Sequence, residues 1–177
     1  MSTTKWVLDP SHSEMLFKVK HLMITNVKGE FRKITGEVHS DGTDFSNAKV
    51  NLVIDANSVD TNDGNRDGHL KGADFFDTAN HPELTFESTS MKKLDDQNYQ
   101  LKGMLGIKGV KKEVTLDAEF GGVNKDPWGN EKAGFSVSGK FNRKDWGLNW
   151  NAALETGGVL VSEEVKINAE VQFAKQA

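Results

Sequence analysis

At 177 residues the chain is long enough to bury a substantial core as a single domain. A net charge of −4 gives no general attraction to nucleic acid or to an anionic membrane surface, and the absence of cysteine excludes disulfides, thiolate metal sites and cysteine nucleophiles. A hydrophobic share of 36% with a mean hydropathy of −0.56 suits strands in which only every second residue is apolar.

The N-terminal residues through Trp6-Val-Leu8-Asp9 contain no long apolar run and move directly into a strand-like pattern. If the chain is complete, a cytoplasmic location is expected; if a leader has been removed, a periplasmic or extracellular one. No stretch has the run of apolar residues that a membrane-spanning helix needs.

Eight segments then carry the two-residue period of strands. Met15, Phe17, Val19 and His21 share one face of the first. Val27, Gly29 and Phe31 begin the second, which changes phase after Arg32-Lys33 to Ile34, Gly36 and Val38, as a bulge would make it do. Val50, Leu52 and Ile54 mark the third; Leu84, Phe86, Ser88 and Ser90 the fourth; Tyr99 through Ile107 the fifth. Val114 to Phe120, Ala133 to Phe141 and Val165 to Phe173 complete the set. Turn residues such as Asp41-Gly42 and Lys108-Gly109 separate them, and short connections imply antiparallel neighbours.

A single amphipathic layer must cover its apolar face, and eight strands suffice to close it into a barrel with room for side chains or one small ligand. Inward glycines, with Ser88 and Ser90, are expected to leave space inside. The stretch from Asn57 to Pro82 is too long for a hairpin loop. Helix-starting residues at Asp60 to Asp63 and a stop at Gly72 predict a short helix over Asn65 to Lys71, inserted between strands three and four. A second irregular stretch, Asn142 to Ser162, contains Trp146, Trp150 and Gly157-Gly158.

The five histidines show no metal-ligand spacing, and no metal site is expected. His12 suits a turn, bonding backbone groups at the start of the first strand, and His39 a solvated position. Asp60 to Gly64 fails as a calcium loop because its glycine comes one position early and Lys71 stands where a glutamate is required. Gly103 to Gly109 lies in a strand and hairpin, the wrong setting for a phosphate loop. The helix insert and its C-terminal extension, Arg66-Asp67-Gly-His69 through Asp74-Phe75-Phe76-Asp77, place aromatic rings beside charged groups at the expected mouth of the barrel. Arg66 either pairs with Asp67 to pin the helix or meets an anionic head group with its planar fork; Arg143 with Asp145 poses the same alternative.

Trp6-x-Leu8-Asp9-x-x-His12-Ser13, Phe17-x-Val19-x-His21, Gly29-x-Phe31, Thr61 and Arg66-Asp67-x-His69-Leu70 form a set with Asp74-Phe75-Phe76-Asp77 and Pro82-x-Leu-x-Phe86. Gly103-x-Leu105-x-Ile107-x-Gly109-Val110-x-Lys112 and Asn142-Arg143-x-Asp145-x-Gly147 extend it over nearly the whole chain. On these residues the sequence resembles the YceI family of lipocalin-like polyisoprenoid-binding proteins. The resemblance implies an all-β fold: one domain over residues 1–177, an eight-stranded antiparallel barrel with a helix near one end, and a homodimer. It also implies a long amphiphilic partner in the interior, such as a polyisoprenoid, an isoprenoid quinone or a fatty-acyl lipid, with no nucleic acid and no other cofactor. Phe17, Val19, Phe31, Leu52, Ile54, Phe86, Leu105, Leu116, Phe135, Val137 and Phe141 would line the tunnel. Phe75 and Phe76 would close one end, with Arg66 and His69 beside them. The expected function is non-catalytic carriage or sequestration. The competing expectation is a lipid-ester or phosphate hydrolase, with His69 or His12 as general base beside Asp67 or Asp9.

Overall fold

Side chains that alternate in sequence alternate in space: the computed structural model, which describes residues 3–22, 24–151 and 161–176, is built mainly of antiparallel strands. Strands β1 (Thr4–Leu8) and β2 (Glu14–His21) form one path interrupted by a 3-10 turn at Pro10–His12. Strands β3 (Thr25–Phe31) and β4 (Ile34–Asp41) form the next, and β5 (Asp44–Asp55) runs through a 3-10 turn into β6 (Val59–Asp60). Helix α1 (Gly64–Lys71) follows, then β7 (Glu83–Lys93), β8 (Asn98–Ile107), β9 (Val110–Lys125), β10 (Glu131–Asn142) and β11 (Glu164–Lys175). With each interrupted path counted once, eight strands pair in chain order. Strand β11 closes the circle, pairing with β1 through residues 173–175 and with β2 through residues 166–170. The expected eight-stranded barrel with its helix between the third and fourth strands is the fold.

The breaks in the first two paths keep their backbone groups satisfied. Asp9 N–H donates to Gln172 O at 2.8 Å, and Gln172 N–H donates to the Ser13 hydroxyl at 3.0 Å. At the Arg32-Lys33 break, Arg32 N–H donates to Ser58 O and Asp55 N–H to Lys33 O. His12 sits in the first break with Nδ1 2.9 Å from Asp9 Oδ2, so its side chain meets a carboxylate rather than the expected backbone groups. Lys132 Nζ lies 2.7 Å from the same oxygen. Lys132 first, then His12 and Ser11, hold the Asp9 carboxyl well below the usual carboxylate range.

Two expectations about the interior need correction. The register of β7 against β8 slips between Ser88 and Ser90, which exposes Ser90 and turns Met91 into the core. The inward glycines do not leave open space either. A Cβ on Gly29 would clash with the Phe17 ring, and one on Gly103 with the Phe86 ring, so each glycine lets a neighbouring phenyl lie against the wall.

The β4–β5, β7–β8 and β9–β10 turns lie at one end of the barrel, filled by Trp6, Phe45, Tyr99, Phe120 and Phe135. Phe45 centres this cluster, its ring 5.1 Å from both Phe120 and Phe135 and 5.5 Å from Trp6. The Trp6 indole N–H donates to the Ser40 hydroxyl at 2.8 Å, which satisfies its buried polar atom. Helix α1 and the β2–β3, β8–β9 and β10–β11 connections lie at the opposite end, where the interior is not filled.

Candidate functional site

Two insertions roof the open end. The first is α1, whose N-terminus is fixed by Asp63 accepting from the N–H groups of Asn65 and Arg66, each at 3.1 Å. Arg66 Nε donates to Thr61 Oγ1 at 2.7 Å and Nη2 to Thr61 O at 2.6 Å. Asp67 Oδ1 accepts from the N–H and hydroxyl of the same Thr61 at 2.9 and 2.5 Å. Arg66 and Asp67 thus clasp Thr61 from two sides instead of pairing with each other. Beyond the helix, Phe76 stands edge-on to Phe31 at 5.6 Å, and Phe31 meets Phe17 at 5.5 Å.

The second insertion leaves β10 through a 3-10 turn at Arg143–Trp146, capped by Asn142 accepting from Lys144 N–H at 2.9 Å. Gly147, at φ +79°, supplies the left-handed conformation that ends it. Trp146 is buried, its indole N–H donating to Leu105 O at 2.8 Å and its ring 4.9 Å from Phe141. Trp150 completes the roof by meeting the first insertion: its ring centre is 4.7 Å from His69 and 5.6 Å from Phe75. Gly157 and Gly158 lie outside the described residues.

Arg143 is the one charged residue with near-complete burial among the described residues, at 3% exposure. Its fork donates to Ser162 O at 2.9 Å, Leu148 O at 2.5 Å and Val161 O at 3.4 Å, not to Asp145. Burial lowers its pKa, opposed by the charge of Glu163. Three carbonyls use three of the five guanidinium N–H donors and supply no formal negative charge. It is a desolvated cation on a cavity wall.

Beneath the roof is a cavity of about 430 Å³, within the range of small-molecule sites. Of the expected binding residues, Phe17, Val19, Phe31, Ile54, Arg66, His69, Phe75, Phe76, Leu105 and Phe141 line it. Leu52, Phe86, Leu116, Phe135 and Val137 do not; they surround a smaller apolar chamber of about 80 Å³ deeper in the barrel. Met15, Ile54, Leu105 and Ile167 border both spaces. Phe45 and Phe135 of the aromatic cluster line the smaller chamber. Leu148 and Trp150 belong to the lining but were not among the expected site residues, and Arg143, weighed from the sequence as a partner of Asp145 or a head-group contact, lines it too. Two tryptophans and an arginine in an irregular stretch were their sequence signal.

The geometry does not assemble the expected catalytic pairs in the cavity. His69 Nε2 lies 2.9 Å from Asp74 Oδ2, while Asp67 is held by Thr61. His12 does meet Asp9, but both stand at the break in the first strand, outside the cavity lining. Among the described residues no group of three or more His, Asp or Glu is placed to hold a metal, and no helix is long and apolar enough to cross a membrane.

A YceI-like domain model matches residues 6–173. The chain belongs to the YceI family. A UPF0312 protein of Staphylococcus epidermidis is 41% identical over 172 residues, covering 97% of this chain and 98% of the relative. The solved YceI protein of Campylobacter jejuni superposes with a TM-score of 0.78 at 34% identity, over 89% of this chain and 90% of that one. A polyisoprenoid-binding domain from Saccharophagus degradans, implicated in plant cell wall breakdown, has the same fold with a TM-score of 0.72 at 18% identity. That match covers 97% of this chain and 98% of the neighbour. The YceI barrel therefore extends over the wall, both roof insertions and the cavity between them.

Proposed function

We propose that this protein binds a long apolar or amphiphilic molecule without chemical conversion, and carries or sequesters it. The ligand class we infer is a polyisoprenoid, an isoprenoid quinone or a fatty-acyl lipid. The observation that carries the reading is the 430 Å³ cavity, walled by Phe, Val, Leu and Ile and edged by Arg66, His69 and Arg143 at the roof and rim. Each methylene buried there contributes roughly 0.8 kcal/mol, so an apolar chain binds tightly without specific polar contacts. The description of the Saccharophagus degradans neighbour as polyisoprenoid-binding supports the same class of ligand.

In this reading the tail points inward, and Met15 is the adaptable partition between the two chambers. The head group lies toward Arg143, whose two unused donors favour a phosphate, carboxylate or phenolate oxygen. Organic extracts of the purified protein, examined by mass spectrometry, should contain such a molecule, and emptied protein should take up isoprenoid or fatty-acyl probes. Repeatedly empty preparations that also refuse both probes would remove the reading.

A further inference from the structure

The outer wall beside the cavity mouth carries an arrangement that the net charge conceals. Lys18 lies directly opposite Lys28 on β3 and opposite Lys166 on β11, and Lys166 lies opposite Lys140 on β10. Four lysines therefore form one row across four adjacent strands, in a chain where acidic residues outnumber basic ones by 26 to 22. Like charges opposite one another destabilise a sheet. None of the four forms an ion pair with a described carboxylate. Of the neighbouring acids, Glu30 pairs with Arg32, Glu163 with Lys144 and Glu170 with the Ser136 hydroxyl, while Glu164 on β11 and Asp117, opposite Ser138 on β9, border the row.

Protection of a strand edge explains only Lys28, because β3 pairs with β6 solely at Glu30 and Phe31. Lys18 and Lys166 have strand partners on both sides and need no such protection. Four residues past Lys18, the β2–β3 turn begins and exposes Leu22 and Ile24, the latter at 76%. The same strand end reaches the cavity, since Lys20 and His21 line it. Four strand residues at about 3.3 Å each separate Lys18 from Leu22 and Ile24 from Lys28, so the apolar tip is about 13 Å beyond the lysine row on the same wall.

We propose that this wall is a docking surface for anionic phospholipid bilayers: the lysine row holds the headgroups and Leu22 and Ile24 dip into the interface, bringing the cavity mouth to the membrane. A cationic row beside exposed apolar residues is the complement of an anionic headgroup layer over hydrocarbon. The repulsion among the lysines is relieved when anions cover them. Docking gives the proposed binding function a source or destination for its ligand, but its evidence is the outer wall and not the cavity.

The test is sedimentation with vesicles of phosphatidylcholine alone or with one-third phosphatidylglycerol, at low and high salt. The protein should bind only the anionic vesicles and lose them at high salt. Lys18→Gln with Lys166→Gln should weaken that binding about 25-fold, about fivefold for each lysine, without lowering the melting temperature. Ile24→Ser should weaken it further, and none of these changes should affect probe uptake from free solution. Equal binding by the double variant, no preference for anionic vesicles, or tighter binding to duplex DNA at the same salt would overturn the proposal. Protein that binds vesicles but takes up no probe would break the proposed carrier function and leave the docking surface intact.

Discussion

The two ends of this barrel are built from the same alternation and differ in what their inward side chains meet. At one end Trp6, Phe45, Phe120 and Phe135 touch one another and fill the section. At the other, Phe17 and Phe31 lie along the wall, the first against Gly29, and the space between walls stays open. The breaks at Asp9–Ser13 and Arg32-Lys33 separate β2 and β3 from the strands that carry the packed end. One end holds the fold together and the other holds a cavity.

Truncating one phenylalanine at each end should break that division most clearly. Phe45→Ala empties a packed site and should cost about 3–5 kcal/mol, lowering the melting temperature by about 10 °C. Phe17→Ala removes a ring that is already partly exposed to the cavity, and should cost only about 1 kcal/mol. Probe affinity should respond in the opposite sense: roughly tenfold weaker for Phe17→Ala and nearly unchanged for Phe45→Ala. Thermal melts and probe titrations on both variants decide it. Equal stability losses would show that the open end is as structural as the packed one.

Arg143→Lys should have the next largest effect. A single ammonium cannot serve the carbonyls of Ser162, Leu148 and Val161 in the planar arrangement of the fork. Buried carbonyls left unpaired cost about 2–3 kcal/mol in total. Because Arg143 lines the cavity and its fork keeps two donors unused, a fatty acid should lose about tenfold more affinity than its uncharged alcohol. Stability loss with equal effects on both ligands would make Arg143 a clasp for the second insertion alone.

Much of this division was legible in particular residues. Alternation placed all eight strands, the Arg32-Lys33 phase change marked a real break, and Asp63 and Gly72 bound the helix as their chemistry suggested. The slip at Ser88–Ser90 was hidden because a bulge there changes the pairing without any Gly or Pro to signal it. Which level of the barrel stays open was also hidden, because it depends on contacts between residues far apart in sequence, such as Phe45 with Phe135. Arg66 and Asp67 are adjacent in sequence, which suggested a pair, but consecutive helix residues do not face each other. Both reach back to Thr61 instead.

A smaller effect lies between the two ends, at the break in the first strand. Asp9 is held below its ordinary value near 3.8, chiefly by Lys132. A depressed carboxylate contributes stability that is fully present above the ordinary value and is lost as pH falls through the folded one. Lys132→Met should therefore destabilise by about 1–2 kcal/mol at pH 7. The gap to the parent protein should shrink as pH falls below the variant's own Asp9 value, which His12 and Ser11 still hold under the ordinary one. A gap that stays constant until acid unfolds both proteins would mean that the Lys132 stem, and not its charge, supports this break.

Arg66→Lys should have the smallest effect and draws the finest contrast, between the two arginines of the open end. Arg66 is partly exposed, and its fork is occupied by Thr61 O and Oγ1 with Asp63 4.0 Å away. Lysine keeps the charge but cannot make both Thr61 bonds in that geometry, so stability should fall by about 1 kcal/mol, or 2–4 °C in melting temperature. A fatty acid and its uncharged alcohol should then be affected alike, because the residue acts through the position of α1. A loss confined to the acid would place the head group at the helix and not at Arg143. Measured beside Arg143→Lys, the two ratios of acid to alcohol affinity show which insertion meets the polar end of the ligand.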